Sequence, residues 1–106
     1  MSDLKGRLAI ITGGARGQGE AEARLFASKG AAVIIADVLA EEGRALAQAL
    51  QGEGFEARFV HLDVTDPASW ADVVALATDW KGRIDILVNN AGVINRSTVA
   101  SIGLEA

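Results

Sequence analysis

The sequence predicts an α/β fold: a doubly wound parallel sheet with helices on both faces. Three observations predict it. Short apolar runs rich in β-branched residues stand at Leu8–Ile11, Ala32–Ala36 and Ile84–Val88, and runs of that length without polar alternation suit strands buried on both faces. Segments of helical periodicity separate them. The composition, 50% hydrophobic and 23% charged over 106 residues, allows a buried core and one compact body, so a single domain over residues 1–106 is expected.

The elements follow in order. After the first strand, a helix from about Gly17 to Lys29 is followed by Gly30, a common placement for a C-terminal cap. The second strand, Ala32–Ala36, leads to a helix from about Ala40 to Gln51. That helix has Leu46, Ala47 and Leu50 on one face and ends in Gly52-Glu53-Gly54. Phe59–Leu62 is a less pure third strand. The third helix has the clearest start, with Asp66 as side-chain N-cap and Pro67 at the first helical position. Trp70, Val73, Val74, Ala77 and Trp80 recur along it at helical spacing. Ile84–Val88, interrupted by Asp85, is the fourth strand. Strands alternating with helices of this length imply parallel pairing through crossover connections. Beyond Asn90 no amphipathic helix is evident, and the chain has no internal repeat or linker.

Composition also excludes classes of function. The longest apolar stretch, Ala31–Ala36, is far short of a membrane span. The N-terminal residues lack the pattern of a secretory signal and there is no cysteine, so a cytoplasmic location is expected. A formal charge of −4 with scattered basic residues argues against nucleic acid as partner.

The first strand runs into Thr12-Gly13-Gly14-Ala15-Arg16-Gly17-Gln18-Gly19 and then directly into a helix. Gly13, Gly17 and Gly19 permit a tight turn and close backbone approach to a pyrophosphate, and the helix start offers N–H groups and its positive dipole end. The spacing is not that of the general G-x-G-x-x-G fingerprint. Asp37, at the end of the second strand and eighteen positions beyond Gly19, is placed to accept hydrogen bonds from an adenosine ribose. It would repel a 2′-phosphate, favouring NAD over NADP. Arg16 pulls the other way, but its side chain can point to solvent while the Asp37 charge would face the phosphate directly.

With these features the chain resembles the N-terminal half of a short-chain dehydrogenase/reductase. The resemblance rests on the T-G-x-x-x-G-x-G loop at Thr12–Gly19, on Leu62-Asp63-Val64 after the third strand and on Asn89-Asn90-Ala91-Gly92 after the fourth. It spans essentially the whole chain. It implies a Rossmann-type sheet of strand order 3-2-1-4 and a nicotinamide dinucleotide cofactor. It further implies that Asp63 and the Val64 backbone contact the adenine, while Asn89, Ala91 and Gly92 line the ribose side. Gln18 departs from the apolar residue usual at its position. Because that position is expected to act through its backbone N–H, only local packing is in question.

The larger departure concerns catalysis. Such enzymes use a Ser, a Tyr and a Lys in Y-x-x-x-K spacing, and a later Asn, to move hydride and proton between a secondary alcohol and a ketone. This sequence has no tyrosine, so no catalytic residue is assigned and the chain alone is expected to be inactive. Asn95, Ser97 and Ser101 read as polar loop residues, His61 as structural and the tryptophans as packing residues. The leading reading is the NAD-binding portion of an oxidoreductase acting on a small-molecule alcohol or ketone. The alternative is a non-catalytic NAD- or adenine-nucleotide-binding module. An uncovered fourth strand would invite pairing with another chain, so a homo-oligomer is expected unless residues 93–106 fold over that edge.

Overall fold

A computed structural model describes residues 3–90. The elements are β1 (Leu8–Thr12), α1 (Gly17–Ser28), β2 (Ala32–Asp37), α2 (Ala40–Gly52), β3 (Ala57–His61), α3 (Pro67–Lys81) and β4 (Ile86–Asn89). All pairings are parallel and the sheet is ordered β3-β2-β1-β4, as expected. Thr12 lies level with Ala36 on one side and Asn89 on the other, and Asp37 lies level with His61. The carboxyl ends of all four strands therefore open along one edge.

Every residue of β1 and β2 is buried, because these central strands are covered on both faces. On one face Ala9, Ile11, Val33 and Ile35 meet Ala23 and Ala27 of α1 and Leu46, Ala47 and Leu50 of α2. On the other, Leu8, Ile10, Ala32, Ile34 and Ala36 meet Trp70, Val73 and Ala77 of α3. The buried residues of α1, Gly19, Ala23 and Ala27, are all small, which lets that helix approach the sheet closely, and Phe26 packs at the margin of the cluster. No helix among the described residues is long and apolar enough to cross a membrane.

All four strands end one residue from the expected position, and the starts of two differ because a polar side chain interrupts the apolar run. β3 begins at Ala57 and ends at His61, not at Phe59 and Leu62. Arg58 belongs to the strand, with its guanidinium 4.7 Å from the centroid of a Trp80 ring. β4 begins at Ile86, two residues later than the apolar run, because the Asp85 side chain replaces a regular ladder bond. Its Oδ2 accepts the Leu8 N–H at 2.8 Å, while the Asp85 N–H donates to the Leu8 carbonyl at 3.0 Å.

The Arg83 guanidinium donates to both Asp85 oxygens, at 2.8 and 2.7 Å. Arg83 is the main cause holding the Asp85 carboxyl below the usual carboxylate range, the Leu8 N–H is the next, and Arg7, at 3.8 Å, adds a smaller part. A carboxyl depressed in the folded state stabilises fully above its unfolded pKa, and that stabilisation is lost as pH falls through the folded value. Leu8 is wholly buried, so Asp85→Ala orphans its N–H and should destabilise by about 1–3 kcal/mol at neutral pH. Urea midpoints across pH check this: the gap between the two proteins should shrink below about pH 4, and a pH-independent gap would rule out the ionised carboxylate as its source.

Candidate functional site

The turn after β1 is built around glycine. The Gly13 N–H donates to the Ala36 carbonyl at 2.8 Å, continuing the ladder one residue past the strand. Gly13 and Gly17 then take φ of +62° and +64°, the left-handed region that side chains disfavour. Gly19 is required for a different reason. A Cβ there would lie 2.0 Å from the Gly13 carbonyl oxygen, so the first turn of α1 packs directly on the loop backbone. Among the described residues no side chain caps α1, whose N-cap is Arg16, whereas Asp66 caps α3 by accepting the Ala68 N–H at 3.0 Å. The first-turn N–H groups of α1 thus remain available to an anion held by the loop.

Asp37 ends β2 and is 8% exposed. One carboxylate oxygen accepts the Ala15 N–H at 3.1 Å and the other the Leu39 N–H at 3.0 Å. The carboxylate therefore ties the glycine loop to the turn leading into α2. An oxygen has two lone pairs, so both ties leave acceptor capacity for hydroxyl groups.

Asp63 and Val64 follow β3 on the same edge. The Thr65 hydroxyl, at 2.7 Å, and the Thr65 N–H, at 3.0 Å, both donate to Asp63 Oδ1. In that order they hold its carboxyl below the usual range, and the nearby His61 adds a smaller electrostatic part. Asp63 is thus an acceptor at neutral pH.

At the fourth strand end, Thr12 Oγ1 lies 3.2 Å from the Val88 carbonyl and 3.0 Å from Asn89 Oδ1, acceptors for its one proton. The same oxygen accepts the Asn90 N–H at 3.1 Å. The Asn90 side-chain amide donates to Glu22 on α1. Asn89 and the glycine loop are joined in this way through a buried hydroxyl. Ala91 and Gly92 lie outside the described residues, as do Asn95, Ser97 and Ser101.

The structure therefore brings Gly13, Gly17, Gly19, Asp37, Asp63, Val64 and Asn89 to one edge. Gln18 is exposed, so its polar side chain meets no core, and the packing question raised by the sequence does not arise. Arg16 is also exposed, beside a cleft of about 350 Å³ lined in part by Glu20, Arg24 and Glu42. A larger groove of about 680 Å³ runs along the outer edge of β3, away from the strand ends, and includes Arg44, Gln51, Phe59 and Trp80. There Gln51 donates to the Ala57 carbonyl at 2.6 Å and Arg44 stacks over Phe59, so side chains cover the open strand edge.

Sequence reasoning missed four supporting residues: Thr12 as a bridge, Thr65, Ser69 and the polar role of Trp70. Only Thr12 carried a signal, as the one polar residue in a fully buried strand.

The chain matches the family model described as short chain dehydrogenase over residues 7–106. It is 48% identical over 99 residues to trans-4-hydroxycyclohexanecarboxylate dehydrogenase of Sinomonas cyclohexanicum, covering 88% of this chain and 38% of the relative. It is 44% identical over 101 residues to 3-alpha-(or 20-beta)-hydroxysteroid dehydrogenase of Mycobacterium tuberculosis, covering 95% of this chain and again 38% of the relative. Among solved structures, a hydroxysteroid dehydrogenase from Escherichia coli superposes with a TM-score of 0.81 at 35% identity, over 86% of this chain and 39% of that one. The chain thus spans well under half the length of these relatives. Members of this family bind nicotinamide dinucleotides, and the glycine cradle, the uncapped start of α1 and the Asp37 acceptor fit the phosphate and ribose parts of such a cofactor. By motif, topology and similarity, this chain belongs to the short-chain dehydrogenase family of oxidoreductases.

Proposed function

We propose that the chain is the cofactor-binding portion of an NAD-dependent dehydrogenase that interconverts a secondary alcohol and a ketone. The observation that carries this reading is Asp37, a buried carboxylate at the β2 end tied to the Ala15 N–H of the phosphate loop. A ribose acceptor and a pyrophosphate cradle in one rigid unit suit a dinucleotide, and the fixed negative charge opposes a 2′-phosphate. In this reading Gly13, Gly17, Gln18 and Gly19 meet the pyrophosphate, Asp63 and Val64 meet the adenine, and Asn89, Ala91 and Gly92 meet the ribose side. Arg16 lies at the rim. A bound nicotinamide supplies hydride transfer. The names of two relatives, acting on a hydroxycyclohexane and on hydroxysteroids, support a secondary alcohol as substrate. With no tyrosine in the sequence, the phenol used by this family for proton transfer has to come from outside these 106 residues.

Titration calorimetry tests the cofactor. NAD should bind at least tenfold more tightly than NADP, a difference of about 1.4 kcal/mol, and equal affinities would overturn the reading. Asp37→Asn keeps an acceptor oxygen while removing the charge, so it should narrow that preference with less loss of NAD affinity than Asp37→Ala. The alanine variant also releases the Ala15 and Leu39 N–H groups.

A further inference from the structure

We propose that Ser69 and Trp70, neighbours in the first turn of α3, are positioning residues that hold Asp63 and Val64 in the geometry that selects adenine. The proposal rests on the dinucleotide reading above. Asp63 and Val64 belong to no strand or helix; they lie in the connection between His61, the last residue of β3, and Pro67, the first of α3. The connection makes one turn of its own, with the Asp66 N–H donating to the Asp63 carbonyl at 3.0 Å, and that turn has to be fixed to the rest of the fold.

Two α3 side chains fix it there, each from six residues ahead. The Asp63 N–H donates to Ser69 Oγ at 2.9 Å, and that hydroxyl lies 3.4 Å from the His61 carbonyl, which can take its proton. The Val64 carbonyl accepts the Trp70 indole N–H at 3.0 Å. The two bonds run side by side from consecutive α3 residues to consecutive residues of the connection. Both anchors are buried, Ser69 at 7% and Trp70 at 0% exposure. Trp70 belongs to the same apolar cluster as Leu8, Ile34 and Leu62, so its indole N–H is fixed by the core.

The consequence reaches the ligand through Asp63. Thr65 occupies Oδ1 and further favours the ionised carboxyl. Asp63 is then an acceptor with no proton to give. Adenine offers a donor at its exocyclic amine, whereas hypoxanthine presents a carbonyl oxygen at the same ring position, and an anionic acceptor held in place favours the first and repels the second. Selectivity of this kind needs the carboxylate held in place. Loss of either anchor leaves Asp63 charged and still bonded to Thr65, but on a turn no longer fixed to α3.

The experiment compares ADP with inosine diphosphate by calorimetry on the full chain, which share the ribose and pyrophosphate and differ in the base. The unmodified protein should prefer ADP by about tenfold. Trp70→Phe keeps most of the apolar bulk and removes the N–H, and Ser69→Ala removes the hydroxyl. Each should bring the preference to about threefold or less, chiefly by weakening ADP. A loosening of the fold would weaken both nucleotides alike, so the ratio separates positioning from stability. Ser69→Ala keeps the test open if Trp70→Phe fails to fold. Retention of the full preference in a folded variant overturns the proposal, as does a proportionate loss of both nucleotides or equal binding of both by the unmodified protein. An unmodified protein that binds neither nucleotide overturns the dinucleotide reading, and the proposal with it.

Discussion

Gly19→Ala should abolish useful dinucleotide binding, lowering NAD affinity by on the order of 10²-fold or more. The added methyl would sit 2.0 Å from the Gly13 carbonyl oxygen, 2.7 Å from the carbon of that carbonyl and 2.9 Å from the Gly14 Cα. All three are backbone atoms, so no rotamer change relieves the overlap. Either α1 moves away from the strand end or the loop opens. In both cases the N–H groups of the loop and of the α1 start, which the proposed function places on the pyrophosphate, separate, and hydrogen bonds to a charged group are worth about 1.5–3 kcal/mol each. Two such losses account for the stated fall. Gly52→Ala is the matched control, since a Cβ there meets nothing within 4 Å at the end of α2. It should leave binding unchanged and stability equal or higher by up to about 1 kcal/mol. Calorimetry on both variants checks the pair, and a Gly19→Ala protein that binds NAD within twofold of the unmodified one would show that the cradle is not where the phosphates sit.

The contrast between those glycines shows what could be read from residues alone. The turn at Gly13–Gly19 is legible because its glycines follow a pure apolar strand and precede a helix. That Gly19 touches a carbonyl, and Gly52 touches nothing, depends on how α1 docks. The same division runs through the fold. β1 and β2 announce themselves because they are buried at every position, and α3 because Asp66 and Pro67 mark its start. β3 and β4 blur where Arg58 and Asp85 interrupt the apolar runs. Asp85 looks like a flaw in a strand until its carboxylate is seen to accept the Leu8 N–H, a partner 77 residues away. Among the site residues, Asp37 is legible from its place after β2, but not its double tie to Ala15 and Leu39. Ser69 and Trp70 act through backbone groups brought to them by the tertiary fold, and no local pattern reports such contacts, whereas Thr12 is marked only by being the polar residue at the end of an apolar strand.

Trp70 carries the second large expectation, because its bulk and its N–H do separate things. On the α3 face, β2 presents alanine at positions 32 and 36 with Ile34 between them, and β1 presents Leu8 and Ile10. The small residues leave room that the indole fills, and Trp70 is wholly buried. Trp70→Ala empties that room beneath a sheet whose central strands are bonded on both sides, so the backbone cannot collapse into it. The cost should be about 3–5 kcal/mol, a large part of the 5–15 kcal/mol that holds a typical domain together. Leu25→Ala, at a residue 51% exposed, should stay within about 0.5 kcal/mol. Trp70→Phe lies between them, keeping most of the packing while losing the bond to Val64. Urea unfolding of the three variants should therefore rank Trp70→Ala far below Trp70→Phe, with Leu25→Ala close to the unmodified protein. If Trp70→Ala and Trp70→Phe were destabilised equally, the N–H would account for the whole effect, and the packing account of this face would be wrong.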